Sequence, residues 1–185
     1  MGHSVTTLAQ SAPAAVIAPL IPGIPVFGSG VRQTFTSSGN YVSDGKPIRV
    51  YVIGGAGGNG STKNGGGGEF ATGIIQTPPV GNISVVIGAK GAALSDGGTS
   101  SFGATDILIT ALGGSRGTDV GSGGDGGQGG VFGASVTSKL RIFGCMGNRS
   151  ASAEFNPFRS GAFLLPYGIS GSDPTSGAGV VIIEY

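Results

Sequence analysis

Glycine recurs at every third position in one stretch of the chain, and this period constrains the fold more than any other feature. In GSGGDGGQGGVFG it occupies residues 121, 124, 127, 130 and 133, with a second row at 123, 126 and 129. Three residues per turn is the geometry of the extended polyproline II helix, which makes no hydrogen bonds of its own. Such a segment can be buried only beside neighbours that exchange N–H···O=C bonds with it, and only glycine lets backbones approach so closely. The period therefore predicts a bundle of polyglycine type II helices.

The composition favours an ordered protein despite this glycine content. Of the 185 residues, 40 are glycine and 10 are proline, a level that indicates low complexity when no period is present. Disordered chains, however, combine high charge with low hydrophobicity. Here only 10% of residues are charged and the mean hydropathy is +0.26. We predict a mainly β or irregular fold, with short strands beside the polyglycine bundle and almost no α-helix.

The strands are predicted from short runs of β-branched and aromatic residues. Proline and glycine residues between two of these runs, 69–77 and 82–88, predict a hairpin. The full set of candidate strands is 31–36, 47–53, 69–77, 82–88, 106–112 and 179–185.

One glycine cluster matches the G-x-G-x-x-G pattern of a dinucleotide-binding turn, at Gly55, Gly57 and Gly60. That site needs a helix directly after it, whose N-terminus receives the pyrophosphate. Gly65 to Gly68 follow instead, and each glycine disfavours a helix by about 1 kcal/mol relative to alanine. We therefore interpret the glycines as places where backbones pack together. The predicted scaffold glycines are Gly54, Gly57, Gly60, Gly121, Gly124, Gly127, Gly130 and Gly133.

The first 30 residues differ from the rest of the chain. Their apolar stretch AAVIAPLIPGIPVF is interrupted by Pro19, Pro22 and Pro25 and has no basic leader, so it resembles neither a signal peptide nor a membrane span. An exposed apolar arm would be sticky, and we expect residues 1–30 to dock on a partner chain. Residues 31–185 are predicted to form one glycine-rich domain.

A segment at about 136–176 interrupts the glycine pattern and is predicted to be a loop insertion. It is rich in arginine and aromatic residues, which anchor recognition surfaces when a rigid frame holds them. The alternative is a satellite core under a long loop, which we favour for Phe143, Phe163, Leu164 and Leu165. Turns at 59–64, 94–96 and 115–119 either share the recognition surface or are simple polar turns. The candidate recognition residues are Arg149, Phe155, Phe158, Arg159 and Tyr167.

The sequence contains few candidate catalytic residues. The single histidine, His3, lies near a terminus, Cys145 has no second cysteine to pair with, and the nine acidic residues are scattered. Two stretches, GGSRGTDV and GGDGGQ, each miss the calcium nonapeptide by one position. A net charge of +1 gives no electrostatic footprint for nucleic acid or an anionic membrane. We predict a protein that is not an enzyme and has no cofactor and no metal site.

Taken in order, the motifs resemble the glycine-rich domain of bacteriophage tail-fibre proteins, including the distal adhesins of T-even-like phages. The resemblance covers roughly residues 31–135 and 177–185. The matching elements are QTFTSSGNYV, IRVYVIGGAGGNG, GGGGEFATG, ISVVIGAKG, GGTSSFG, ALGG, GSGGDGGQGG and GAGVVIIEY.

The resemblance implies a receptor-binding tip on the virion. In similar adhesins, polyglycine II helices carry loops that contact an outer-membrane protein or a surface glycan of the host bacterium. An N-terminal portion attaches them to a tail fibre or another virion protein. The resemblance does not decide between a single copy and a homotrimer. The rival interpretations are a structural virion subunit without adhesive function and an ice-binding protein. The latter should carry a threonine- or alanine-rich face, which the varied polar residues here do not provide.

Overall fold

The computed structural model describes residues 31–61, 63–118, 124–144 and 177–185. These residues form nine β-strands and one 3₁₀ turn, Thr105–Ile107, and contain no α-helix, which confirms the mainly β fold. The strands are β1 Arg32–Phe35, β2 Gly39–Ser43, β3 Ile48–Ile53, β4 Phe70–Ile75, β5 Gly81–Val86, β6 Ser100–Phe102, β7 Ile109–Ala111, β8 Val136–Ile142 and β9 Val180–Glu184.

The strands make two antiparallel sheets. The larger sheet has the order β1-β9-β3-β4-β8, and the smaller has the order β2-β5-β6-β7. Side chains from both sheets form one buried cluster, with Val50 and Ile183 from the larger sheet and Val85 and Phe102 from the smaller. A second cluster, which includes Tyr51 on the larger sheet, is separate from the first. In β3, Val50 and Tyr51 belong to different clusters because successive side chains of a strand point to opposite faces.

Glycine-rich segments continue the strands at one end of the two sheets. Beyond β3 the chain runs out through 54–60 and returns through 63–69 into β4. A second connection of this kind, through 88–99, links β5 to β6. In a third, the chain leaves β7 through 112–118 and returns through 124–130.

The segment 54–60 lies at the centre of these segments and bonds to several of them. The amides of Gly54 and Gly57 donate to the carbonyls of Glu69 and Gly66, at 2.9 and 2.8 Å. Gly55 and Gly58 donate to a second segment at 95–98, and Ala56 donates to the carbonyl of Gly177. The donors to any one neighbour are therefore three residues apart, and Gly54 to Gly58 are all buried.

The predicted hairpin between 69–77 and 82–88 is wrong. Strand β4 pairs with β3 and β8, whereas β5 pairs with β2 and β6 in the other sheet. The burial patterns give the physical reason: β4 is buried on both faces, and β5 alternates between buried and solvent-facing residues. The two prolines and Gly81, whose φ is 111°, carry the chain from one sheet to the other.

Strands β2, β6 and β8 were not among the predicted strands, and two features of the segment 136–176 differ from expectation. Its first residues, Val136–Ile142, form strand β8 at the edge of the larger sheet rather than a loop. Phe143, expected in a core, is 61% exposed. Among the described residues, no helix is long and apolar enough to cross a membrane.

Candidate functional site

Three turns lie together at the end of the glycine segments furthest from the sheets, and we call residues 59–61, 63–64, 92–96 and 115–118 the tip. The turn 92–96 bonds to both of the others, and Gly117 of the third turn lies directly against Lys63 and Asn64 of the first. The Leu94 amide donates to the Asn59 carbonyl at 3.1 Å, and the Asp96 carboxylate accepts the Arg116 amide at 2.8 Å. Turns distant in sequence thus form one continuous surface.

Each turn of the tip is also held by hydrogen bonds, either within the turn or to a glycine segment. The Gly60 amide donates to the Lys63 carbonyl at 2.8 Å, and the Asn59 side-chain oxygen accepts the Gly65 amide at 3.1 Å. The Gly117 amide donates to the Gly58 carbonyl at 2.8 Å. Because the backbone is held at these points, the tip can present side chains without a large ordering cost on binding.

The exposed groups of the tip are mostly polar, with both signs of charge. Arg116, which is exposed, and Lys63, which is half-buried, supply positive charge, and Asp96 supplies negative charge. The exposed apolar residues are Ala92, Ala93 and Leu94, and Leu94 is 47% exposed. Such a surface can form hydrogen bonds and ion pairs with a partner.

The described chain begins and ends at the opposite end of the molecule. Strand β1 starts where β9 finishes, with Arg32 opposite Glu184, and the Tyr185 amide donates to the Val31 carbonyl at 3.2 Å. Val31, the first described residue, therefore lies at the sheet end, far from the tip.

A buried glutamate binds the first strand to its neighbours there. The Glu184 side chain is 2% exposed and pairs with Arg32 at 3.1 Å, while its other oxygen accepts the Tyr51 hydroxyl at 2.9 Å and lies 3.9 Å from Arg49. Burial is the main cause that raises the pKa of Tyr51, Glu184 raises it as well, and Arg49 acts in the opposite direction. The acid thus connects three adjacent strands of the larger sheet.

A second buried glutamate lies where the glycine segments meet the strands. The Glu69 side chain is fully buried, and its Oε2 accepts the amides of Leu112 and Gly130, each at 3.0 Å. Its Oε1 lies 2.7 Å from Arg141 Nε in an ion pair that is not aligned as a hydrogen bond. The Arg141 guanidinium also lies over the Phe132 ring, 4.7 Å from its centre. Neither acid was predicted, although an acid inside a buried apolar run, as in GGGGEF and VVIIEY, indicates a paired charge.

Most of the predicted scaffold glycines that the structure describes lie where the glycine segments meet. Gly54, Gly57 and Gly60 all donate to the segment 63–69, and Gly124 and Gly127 donate to the carbonyls of Asn64 and Gly67. Gly130 donates to Glu69 and Gly133 to the Leu108 carbonyl. Gly121 lies outside the described residues, as do His3, Cys145 and the candidate recognition residues Arg149, Phe155, Phe158, Arg159 and Tyr167.

The close approach of the backbones is seen from the atoms that a Cβ atom added to each glycine would contact. A Cβ atom at Gly57 or Gly124 would overlap the carbonyl oxygen of Ser115, and one at Gly54 or Gly127 would overlap that of Leu112. Gly55 and Gly57 of the G-x-G-x-x-G cluster thus lie in a segment that packs against other backbones, and the described residues contain no α-helix after them.

No protein-family model matches the chain, and no curated protein matches it. Within the described ranges, no group of three or more histidine, cysteine, aspartate or glutamate residues could hold a metal ion. A functional interpretation therefore depends on the geometry of the tip and on the sequence resemblance.

Proposed function

We propose that this protein is a bacteriophage tail-fibre adhesin that binds a receptor on the surface of the host bacterium. The observation that carries the proposal is the separation of its two ends. The chain enters and leaves at the sheet end, where Tyr185 bonds to Val31, while the hydrogen-bonded turns of the tip lie at the other end. A protein attached through its N-terminus would thus present the tip outward.

We further propose that the glycine segments are polyglycine II helices and that they stiffen the molecule. Donors to one neighbour recur every third residue, at Gly54 and Gly57 towards 63–69 and at Gly55 and Gly58 towards 95–98. A helix with three residues per turn presents its amides in three directions in this way. A run from Ile48 to Gly60 would span about 40 Å, from ~3.4 Å per strand residue and ~3.1 Å per polyglycine residue.

The remaining parts of the proposal concern the partners. Residues 1–30 would dock on a tail fibre or another virion protein, as a single copy or as a homotrimer, and the protein would reside in the virion. The receptor would be an outer-membrane protein or a surface glycan. We propose no enzymatic activity, cofactor, nucleic-acid binding or membrane insertion.

Two parts of the chain are candidates for receptor binding: the tip, and the segment that carries Phe155, Phe158 and Arg159. Binding of the fluorescently labelled full chain to a panel of bacterial strains distinguishes them. One variant carries Lys63→Ala and Arg116→Ala in the tip. Its matched control carries Lys46→Ala and Lys139→Ala, which remove the same charge at exposed positions away from the tip. A third variant carries Phe155→Ala, Phe158→Ala and Arg159→Ala.

We expect strain-selective binding that the tip variant weakens at least fivefold and the matched control leaves unchanged. Loss of binding only in the third variant would move the site to the segment 145–176 and leave the adhesin proposal intact. If the chain binds no strain of a panel that includes its host, the adhesin proposal fails and a structural virion subunit becomes the better interpretation.

A further inference from the structure

Leu94 combines an exposed apolar side chain with a backbone conformation that leucine disfavours. Its φ is 59°, and its side chain is 47% exposed at the tip. Of the described non-glycine residues, two others have positive φ, Thr105 and Ser138, and both are polar. An exposed leucine alone would need no explanation, but a bulky residue in the left-handed region is an outlier whose strain the surrounding structure must hold.

The turn around Leu94 is one in which glycine would be the ordinary choice. The Ser95 amide donates to the Ala92 carbonyl at 2.9 Å, which closes a four-residue turn with Leu94 at its third position. A turn with positive φ at that position favours glycine or asparagine. Glycine is abundant in the neighbouring segments, at Gly91 and at Gly97 and Gly98, yet the turn itself carries leucine.

Hydrogen bonds hold the turn of Leu94 against the other two turns of the tip. The Leu94 amide is bonded to the Asn59 carbonyl, and its turn is bonded to Arg116 through Asp96. Leu94 thus stands beside the exposed Ala92 and Ala93 in a turn that bonds to both of the other turns of the tip. An apolar centre inside a polar rim is the general anatomy of a protein–protein interface.

We propose that Leu94 is the apolar anchor of the tip and that the receptor is a protein with an apolar pocket. The inference rests on the adhesin function proposed above. Burial of a leucine side chain is favourable only against apolar surface. A glycan would instead lose hydrogen-bond partners for its hydroxyl groups on such a contact. The described tip residues also include no aromatic ring that a sugar face could stack on.

The test uses the full chain, a strain that it binds, and substitutions at two leucines of similar exposure. Leu94→Ala shortens the anchor, and Leu140→Ala is the control, since Leu140 is 52% exposed on strand β8. Leu94→Gly removes the side chain together with the strain. A separate arm compares cells treated with a protease, which trims exposed protein loops, with cells treated with periodate, which oxidises sugars.

We expect Leu94→Ala to weaken cell binding at least tenfold and Leu140→Ala to leave it within twofold. Leu94→Gly should also lose binding while its melting temperature does not fall, because glycine fits the turn. Binding should be lost on protease-treated cells and kept on periodate-treated cells. Equal binding by Leu94→Ala, or loss on periodate treatment alone, would overturn this inference and leave the adhesin function standing. An unsubstituted chain that binds no strain would overturn both.

Discussion

Arg141 neutralises a carboxylate that has no other cationic partner among the described residues. Glu69 is fully buried, whereas the Arg141 side chain is 23% exposed and packs on Phe132. Removing one partner of a buried pair leaves an uncompensated charge, at a cost of about 3–5 kcal/mol. We expect Arg141→Met to lower the free energy of unfolding by about 3 kcal/mol, near the lower end because of the partial exposure. Urea unfolding measures the change.

The double variant Glu69→Gln/Arg141→Met tests the cause of that loss. If the buried charge is responsible, removing it as well should restore part of the stability, and the double variant should be more stable than Arg141→Met alone. An equally unstable double variant would mean that Arg141 acts only through its packing on Phe132.

Gly57 has no room for a side chain. A Cβ atom there would overlap the Ser115 carbonyl, and a backbone cannot rotate aside as a flexible side chain would. We expect Gly57→Ala to destabilise the protein at the upper end of the ~1–3 kcal/mol range for overpacked sites, or beyond it. Gly39→Ala is the matched control, because its nearest neighbour would be the Phe35 ring at 4.0 Å. Its cost should stay within about 0.5 kcal/mol, and equal costs at both sites would contradict the close packing.

The buried tyrosines give the fold a pH dependence on the alkaline side. Burial is the main cause that raises the pKa of both Tyr41 and Tyr51 above the ordinary value of 10.0. The folded state therefore holds these protons more tightly than the unfolded state does. Their contribution to stability is complete below about pH 10 and is lost as the pH rises through the folded values. Urea unfolding from pH 8 upwards should show this fall, and Tyr51→Phe should make it less steep; an unchanged slope in Tyr51→Phe would contradict it.

At the scale of elements, the strands with strong apolar patterns were predictable, and the sheet pairing was not. Strands β3, β4 and β9 fall inside the predicted runs because buried Val and Ile residues mark them. Strand β6 is only Ser100–Phe102, too short and polar for a pattern. The partners of β4 depend on which face of each strand is buried, and this follows from long-range packing rather than from the turn beside it.

Circular dichroism tests the elements together. A fold of short strands and extended glycine segments should give a spectrum poor in helix, with a polyproline-like contribution from segments such as 54–60 and 112–118. Unfolded chains also populate polyproline II conformations, so unfolding of Gly57→Ala should show in the spectrum as loss of the strand contribution. A strongly helical spectrum of the unsubstituted protein would contradict both the sheets and the bundle.

At the scale of the whole molecule, the sequence indicated the scaffold better than the site. The period of three predicts that glycines such as Gly54 and Gly57 bond to a neighbouring segment, because the spacing along the chain determines the direction in which each amide points. The convergence of Asn59, Leu94 and Arg116 depends on contacts between turns that are distant along the chain. The spacing of the turns alone does not distinguish a recognition surface from simple polar turns.

The central claim is that the glycine segments are a rigid bundle joined by backbone hydrogen bonds. Native-state hydrogen exchange by NMR tests it most directly at the amides of 54–58, each of which donates to another segment. If the bundle is rigid, these amides should exchange only through global unfolding, as slowly as the core amides of β3. Exchange at the rate of an unstructured peptide, with β3 still protected, would contradict the bundle and remove the rigid support from the tip.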